Sequence, residues 1–202
     1  HLFNEKFFSN FTVFYSNYDY GFSFGENELD NFNWDSRIVT YNFKPEFSYF
    51  LNPENELTFG GEALLYRFLP ATVAATTDGE SIDISLEEKK ALELSAYIAN
   101  DQEISEKISV QYGLRLSSFT YLGGGTVYSY GDTLAGERKP VVDTEEFDNW
   151  EPIESFINLE PRLAIKYELT PSSSIKASYN RMNQYIHLIS NTVASTPIDV
   201  WQ

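Results

Sequence analysis

From Val39 to Leu51 the chain alternates: Val39, Tyr41, Phe43, Pro45, Phe47, Tyr49 and Leu51 are apolar or aromatic, while Thr40, Asn42, Lys44, Glu46 and Ser48 are polar. A period of two marks a strand with one dry and one wet face. The pattern recurs with Leu57, Phe59, Gly61, Ala63 and Leu65 against Thr58, Gly60, Glu62 and Tyr66. It recurs with Leu92, Leu94, Ala96 and Ile98 against Glu93, Ser95 and Tyr97, and with Ile108, Val110, Tyr112, Leu114 and Leu116 against Ser109, Gln111, Gly113, Arg115 and Ser117. A later pair sets Leu159, Pro161, Leu163, Ile165, Tyr167 and Leu169 against Glu160, Arg162, Ala164, Lys166 and Glu168, then Ile175, Ala177 and Tyr179 against Lys176, Ser178 and Asn180. Upstream, Phe14, Tyr18, Tyr20, Phe22 and Phe24 stand opposite Asn17, Asp19 and Ser23, which brings the expected total to about seven strands.

Residues 86–94 consist largely of good helix formers. A strand is nevertheless expected from about Ala91, because the alternation at Leu92 to Ile98 and the following hairpin require a partner. The connections sort into two kinds: short near residues 52–56, 100–107 and 170–174, and long at about 25–35, 69–90 and 122–156. Outer-membrane barrels alternate short turns with long loops in this way and carry aromatic girdles at both interfaces. Tyr20, Phe22, Phe24, Phe47, Tyr49, Phe50, Tyr66 and Phe68, all near expected strand ends, fit such girdles. On the polar series, Lys44, Glu46, Glu62, Glu93, Arg115, Glu160, Arg162, Lys166 and Glu168 are candidates to face a wet lumen.

Composition narrows the chemistry. Among 202 residues are 16 Phe and 14 Tyr, no Cys and two widely separated His, which removes disulfides and thiolate sites and leaves no credible dyad for hydrolysis. No run is long and apolar enough for a membrane helix, so a membrane role would be that of a barrel. The formal net charge of −16 argues against nucleic acid as partner. Asp143, Glu145, Glu146, Asp148 and Glu151 offer carboxylates to a hard cation but lack the Gly-containing spacing of a calcium loop, and they read as a solvated acidic loop. Tyr128, Tyr130, Phe147 and Trp150 are candidates to stack on sugar rings or touch a partner protein, the plainer reading being that they pack the loop onto its neighbours. Gly123, Gly124 and Gly125 read as a flexible strand exit, and His187 as a loop-packing residue. The expectation is no enzyme, no cofactor and no metal.

The run Asn158-Leu159-Glu160-Pro161-Arg162-Leu163-Ala164-Ile165-Lys166-Tyr167, followed by Ser174-Ile175-Lys176-Ala177-Ser178-Tyr179-Asn180-Arg181, resembles the late barrel segment of TonB-dependent outer-membrane receptors, notably the glycan-importing type paired with a surface lipoprotein. Gln184 to Asn191 and Ala194 to Trp201 resemble the loop that follows. The resemblance implies an all-β fold: an antiparallel transmembrane β-barrel segment, about seven strands of a larger barrel of roughly 22. Residues 1–202 would belong to the barrel domain of a longer polypeptide, with the plug domain and remaining strands outside this sequence. Implied partners are outer-membrane lipid, the TonB complex acting through the plug, and a surface lipoprotein. The alternatives are a soluble or surface-exposed β-sandwich that binds glycan, or another outer-membrane barrel such as a porin or an assembly or secretion component.

Overall fold

The computed structural model describes the backbone of residues 1–27, 30–77, 80–134, 136–186, 188–190 and 199–201. Among these residues there are strands and no helix: β1 Leu2–Asn4, β2 Phe7–Asn27, β3 Asp30–Asn52, β4 Asn55–Thr77, β5 Glu80–Ser85, β6 Lys89–Ser105, β7 Ile108–Leu122, β8 Gly125–Tyr130, β9 Val141–Phe147, β10 Pro152–Thr170, β11 Ser173–Asn180, β12 Leu188–Ser190 and β13 Asp199–Trp201. One antiparallel sheet runs β1-β2-β3-β4-β6-β7-β10-β11, with β5 paired to the far part of β4; β8-β9 and β12-β13 are separate ribbons. The sheet is open, with β1 and β11 outermost. Each of the seven expected strands is present.

Several are longer than the alternation foretold. β2 begins at Phe7 and not near Phe14, because Phe11, Val13, Phe14 and Tyr15 put apolar groups on both faces and blur the period. β6 starts at Lys89 despite the helix-forming sequence, since Lys90 to Glu93 is laddered by β4 on one side and β7 on the other. The three long connections also differ from expectation. β2 and β3 stay paired out to Asn27 and Asp30 with a register shift after Phe24, β5 folds back along β4, and β8-β9 forms its own ribbon. Gly, Asn and acidic residues lowered the strand signal there without abolishing pairing.

Register assigns the faces. Tyr41 pairs with Leu65, Leu65 with Leu92, and Phe43 with Ala63 and Leu94 in turn; farther along, Ile98, Leu114 and Pro161 are in register. All stand on one apolar face, which is uncovered: Phe43 is 47% exposed, Ile98 50%, Leu116 50% and Ile175 57%. The opposite face crowds polar side chains, and there Asn42, Ser117 and Glu160 are buried. Among the described residues the buried hydrophobic set is only Val39, Phe68, Ala91 and Leu122. The sheet thus has one uncovered apolar face and one crowded polar face, unlike a layer whose apolar face is packed on a second layer.

The assignment switches along the same strands. Where β4 pairs with β3 beyond Arg37, one extra residue enters β4 between Leu69 and Thr72. Past this point Phe22, Trp34, Val73 and Ile84 are in register on the continuation of the polar face, while Asp35, Thr72 and Ser85 continue the apolar one. The aromatic series of β2 is therefore on the opposite face from the apolar band, where Phe11, Val13 and Tyr15 stand instead. Charges fringe the band at this end: Asp19 pairs with Arg37 and Arg67 pairs with Lys90 in register. At the short-turn end, Phe3, Phe7, Phe47 and Phe59 form a continuous stack with centroid separations of 5.0, 6.0 and 5.4 Å. Only part of the expected girdle is on this face, since Phe50, Tyr66 and Phe68 have the parity of the polar one.

Candidate functional site: a polar wall across four strands

Adjacent strands place residues about 5 Å apart, so a long side chain at one pair reaches the next strand but one only if the intervening residue is small. Gly60 is such a residue. It pairs with Glu46 on one side and Tyr97 on the other, and the Tyr97 hydroxyl crosses it to donate to Glu46 Oε2 at 2.7 Å. A Cβ on Gly60 would lie 2.8 Å from that hydroxyl and 2.4 Å from the Pro45 carbonyl oxygen. Lys44 sits 4.0 Å from Glu46 and 6.0 Å from the Tyr97 ring centre.

Next to this lies Arg115 on β7. Its Nη2 is 3.4 Å from Glu62 of β4 and 3.7 Å from Glu93 of β6, and its Nε is 3.8 Å from Glu160 of β10. Three carboxyl groups from three strands share one guanidinium, a formal excess of two negative charges in a region where the four side chains are 6% to 21% exposed. Asn42 Nδ2 extends the network by donating to Glu62 Oε1 at 2.9 Å. The tie is mutual. Arg115 without its carboxylates would be a costly partly buried cation, and the carboxylates without it would repel.

Residues 181–186 follow β11, continue in its direction alongside β10 and lean over this wall. The Asn183 backbone N–H and its Nδ2 both donate to Glu160 Oε1, at 3.2 and 3.3 Å. Ser117 Oγ donates to the same oxygen at 2.9 Å. The Tyr185 hydroxyl lies 2.7 Å from Ser117 Oγ and accepts from Asn158 Nδ2 at 3.0 Å, and its ring stacks on Phe119 at 5.2 Å. These contacts leave Ser117 1% and Glu160 4% exposed.

Lys44, Glu46, Glu62, Glu93, Arg115, Glu160, Arg162 and Lys166, together with Glu168, all have the parity of the polar face. The structure brings Glu62, Glu93, Arg115 and Glu160 together, and separately Lys44 with Glu46 and Lys166 with Glu168. Arg162 is exposed and apart from the cluster. Sequence reasoning put Asn42, Tyr97 and Ser117 on the polar series without marking them. It missed Asn158, Asn183 and Tyr185, whose roles depend on the chain after β11 leaving the sheet edge for the polar face, which no periodicity announces.

The loop candidates do not converge. Tyr128 and Tyr130 share one face of the β8-β9 ribbon and are exposed, while Phe147 has the other parity. Trp150, in a left-handed turn with φ 70°, lies under the Lys90 ammonium at 5.1 Å, and Lys90 also donates to Asn149. Gly123 is held, contrary to the flexible exit expected: its N–H donates to the Glu151 carbonyl at 2.7 Å, its carbonyl accepts from Trp150, and a Cβ there would lie 2.6 Å from that of Phe147. Asp143 and Glu145 face away from Glu146, and Glu151 accepts from the Asp148 N–H. Among the described residues no group of three or more acidic or histidine side chains is placed to hold a metal ion. His187 lies outside the described residues.

No family model, curated protein or solved structure matches the chain.

Proposed function

We propose that this chain is part of the wall of an outer-membrane β-barrel, belonging to a TonB-dependent receptor that imports a nutrient such as a glycan, a peptide or a metal chelate. The observation that carries the reading is the bounded, uncovered apolar band backed by a charged polar wall. On β10 the band runs from Ile157 to Leu169, roughly 40 Å along the strand at about 3.3 Å per residue. Tilted by about 45°, that is roughly 28 Å of height, close to the thickness of a bilayer's hydrocarbon. A soluble protein rarely leaves so large a contiguous apolar surface in water.

On this reading, further strands pair with the outer edges of β1-β2 and β11, because open edges leave backbone groups unsatisfied in hydrocarbon. The long-hairpin end lies outside the cell and the short-turn end in the periplasm. The polar wall faces the lumen, where a plug domain would sit and through which the TonB complex would supply energy; this chain contributes shape and charge, not bond chemistry. A surface lipoprotein is the partner proposed for the outer hairpins.

The test places single cysteines at Gln111, Tyr112, Arg162 and Leu163 in the protein in its membrane. Gln111→Cys and Arg162→Cys should react with a water-soluble thiol reagent, and Tyr112→Cys and Leu163→Cys only with a lipid-phase probe. Equal aqueous labelling of all four would overturn the membrane reading and favour a soluble glycan-binding sheet.

A further inference from the structure

We propose that residues 181–186 form a releasable strap that closes over the polar wall, and that it must lift before a solute can touch Glu160 and the Arg115 cluster. The proposal rests on the reading of that face as a lumen lining. The strap's side chains divide by parity: Asn183 and Tyr185 point down onto β7 and β10, while Met182 and Gln184 are exposed above. What it covers is the most deeply buried part of the wall, Ser117 at 1% and Glu160 at 4% exposure.

The mode of attachment argues for release. At its start the Arg181 N–H donates to the Pro161 carbonyl at 3.1 Å. Beyond that, the strap is held to the wall by polar groups of Asn183 and Tyr185 and by one ring stacked on Phe119. No ladder of backbone hydrogen bonds ties residues 182–186 to the sheet among the described residues. Hydrogen bonds of this kind exchange for water or for a ligand's hydroxyl and amide groups at small net cost, whereas an apolar seam would not. Glu160 Oε1 takes three donors in the closed state, from Ser117 Oγ and twice from Asn183. Lifting the strap removes two of the three, and leaves a carboxylate and the Ser117 hydroxyl ready for a donor-rich solute. The occupant of the open state is therefore a neutral or cationic polyhydroxyl or amide compound; an anion would meet the excess carboxylates beside Arg115.

The experiment uses the protein in its membrane, with a cysteine at Ser117 and, as a reference, one at Gln111 on the exposed part of the same face. Each is combined with native Tyr185 and with Tyr185→Ala, and reaction with a small water-soluble maleimide is timed. Ser117→Cys should react at least about tenfold more slowly than Gln111→Cys, and Tyr185→Ala should remove most of that protection by loss of two hydrogen bonds and the stack. Tyr185→Phe, which keeps the stack, should fall between the two. Ser117→Cys and Phe119→Cys each remove a different anchor, a hydrogen bond in the first and the stacked ring in the second, so the two sites are read side by side with the same expectation. If Gln111→Cys labels readily but the protection of both covered sites is unchanged by Tyr185→Ala, the strap is wrong while the lumen stands. If Gln111→Cys is itself inaccessible from water, the lumen reading has failed.

Discussion

Arg115 sits where the polar wall is most interdependent. Replacing it with Met leaves Glu62, Glu93 and Glu160 facing one another without a cation, and the expected loss is roughly 1–3 kcal/mol, below that of a fully buried pair because each group keeps some exposure. Adding Glu93→Gln to that variant should restore part of the loss. A thermal-unfolding double-mutant cycle in detergent checks this, and additive effects would show that the two do not interact. Gly60 and Gly61 give a second contrast. A methyl group at Gly60 collides with the Pro45 carbonyl and the Tyr97 hydroxyl, but at Gly61 it meets only the Ser95 carbonyl at 3.0 Å. Gly60→Ala should therefore cost about 1–3 kcal/mol and Gly61→Ala clearly less, measured the same way. At the band's fringe, Arg67 hydrogen-bonds the Glu88 carboxylate and holds it below its ordinary value of 4.5. A carboxyl whose folded value is depressed contributes stability above its unfolded value and loses it as pH falls through the folded one. Opening of residues 86–90 should thus increase as pH falls below about 4.5, as read by pulsed hydrogen exchange, and Arg67→Gln should raise opening at neutral pH and flatten that pH dependence.

At the scale of elements, β11 separates a finished sheet from an open one. All eight of its residues are exposed, and among the described residues only β10 pairs with it. In the complete barrel proposed above its amides should exchange as slowly as those of central β7, whereas in the isolated chain they should exchange clearly faster than those of β7. Hydrogen exchange of both preparations decides this. The central strands were legible in the sequence because β3, β4, β6, β7 and β10 each keep one dry face through the band. β2 misled: with apolar side chains on both faces between Phe11 and Tyr15, its alternation could be read in either phase, and only pairing of Tyr15 with Tyr41 fixes it. The bulge in β4 was equally hidden, since one added residue changes the face of everything beyond it while leaving composition untouched. The charged half of the candidate site was readable from parity. Its cover was not, because the docking of Tyr185 depends on a hydroxyl on β7 and an amide on β10, far away in sequence.

For the whole molecule, the charges that end the apolar band act as a draught mark. Arg37, Arg67 and Lys90 share the band's face at one end, with Asp19 beside Arg37, and Asn52, Asn55 and Gln102 close the other. In the bilayer proposed above, sinking the sheet by one strand repeat would drag the three cations toward hydrocarbon, at a cost that climbs from near zero at the interface to about 2–4 kcal/mol each at the midplane. Raising it would lift the row of Ile157 and its neighbours into water instead. Both displacements are opposed, so the sheet has one preferred depth. The mouth of the lumen, the strap and the outer hairpins are then held at fixed heights above the membrane plane, and a partner approaching along the cell surface meets them at the same level every time.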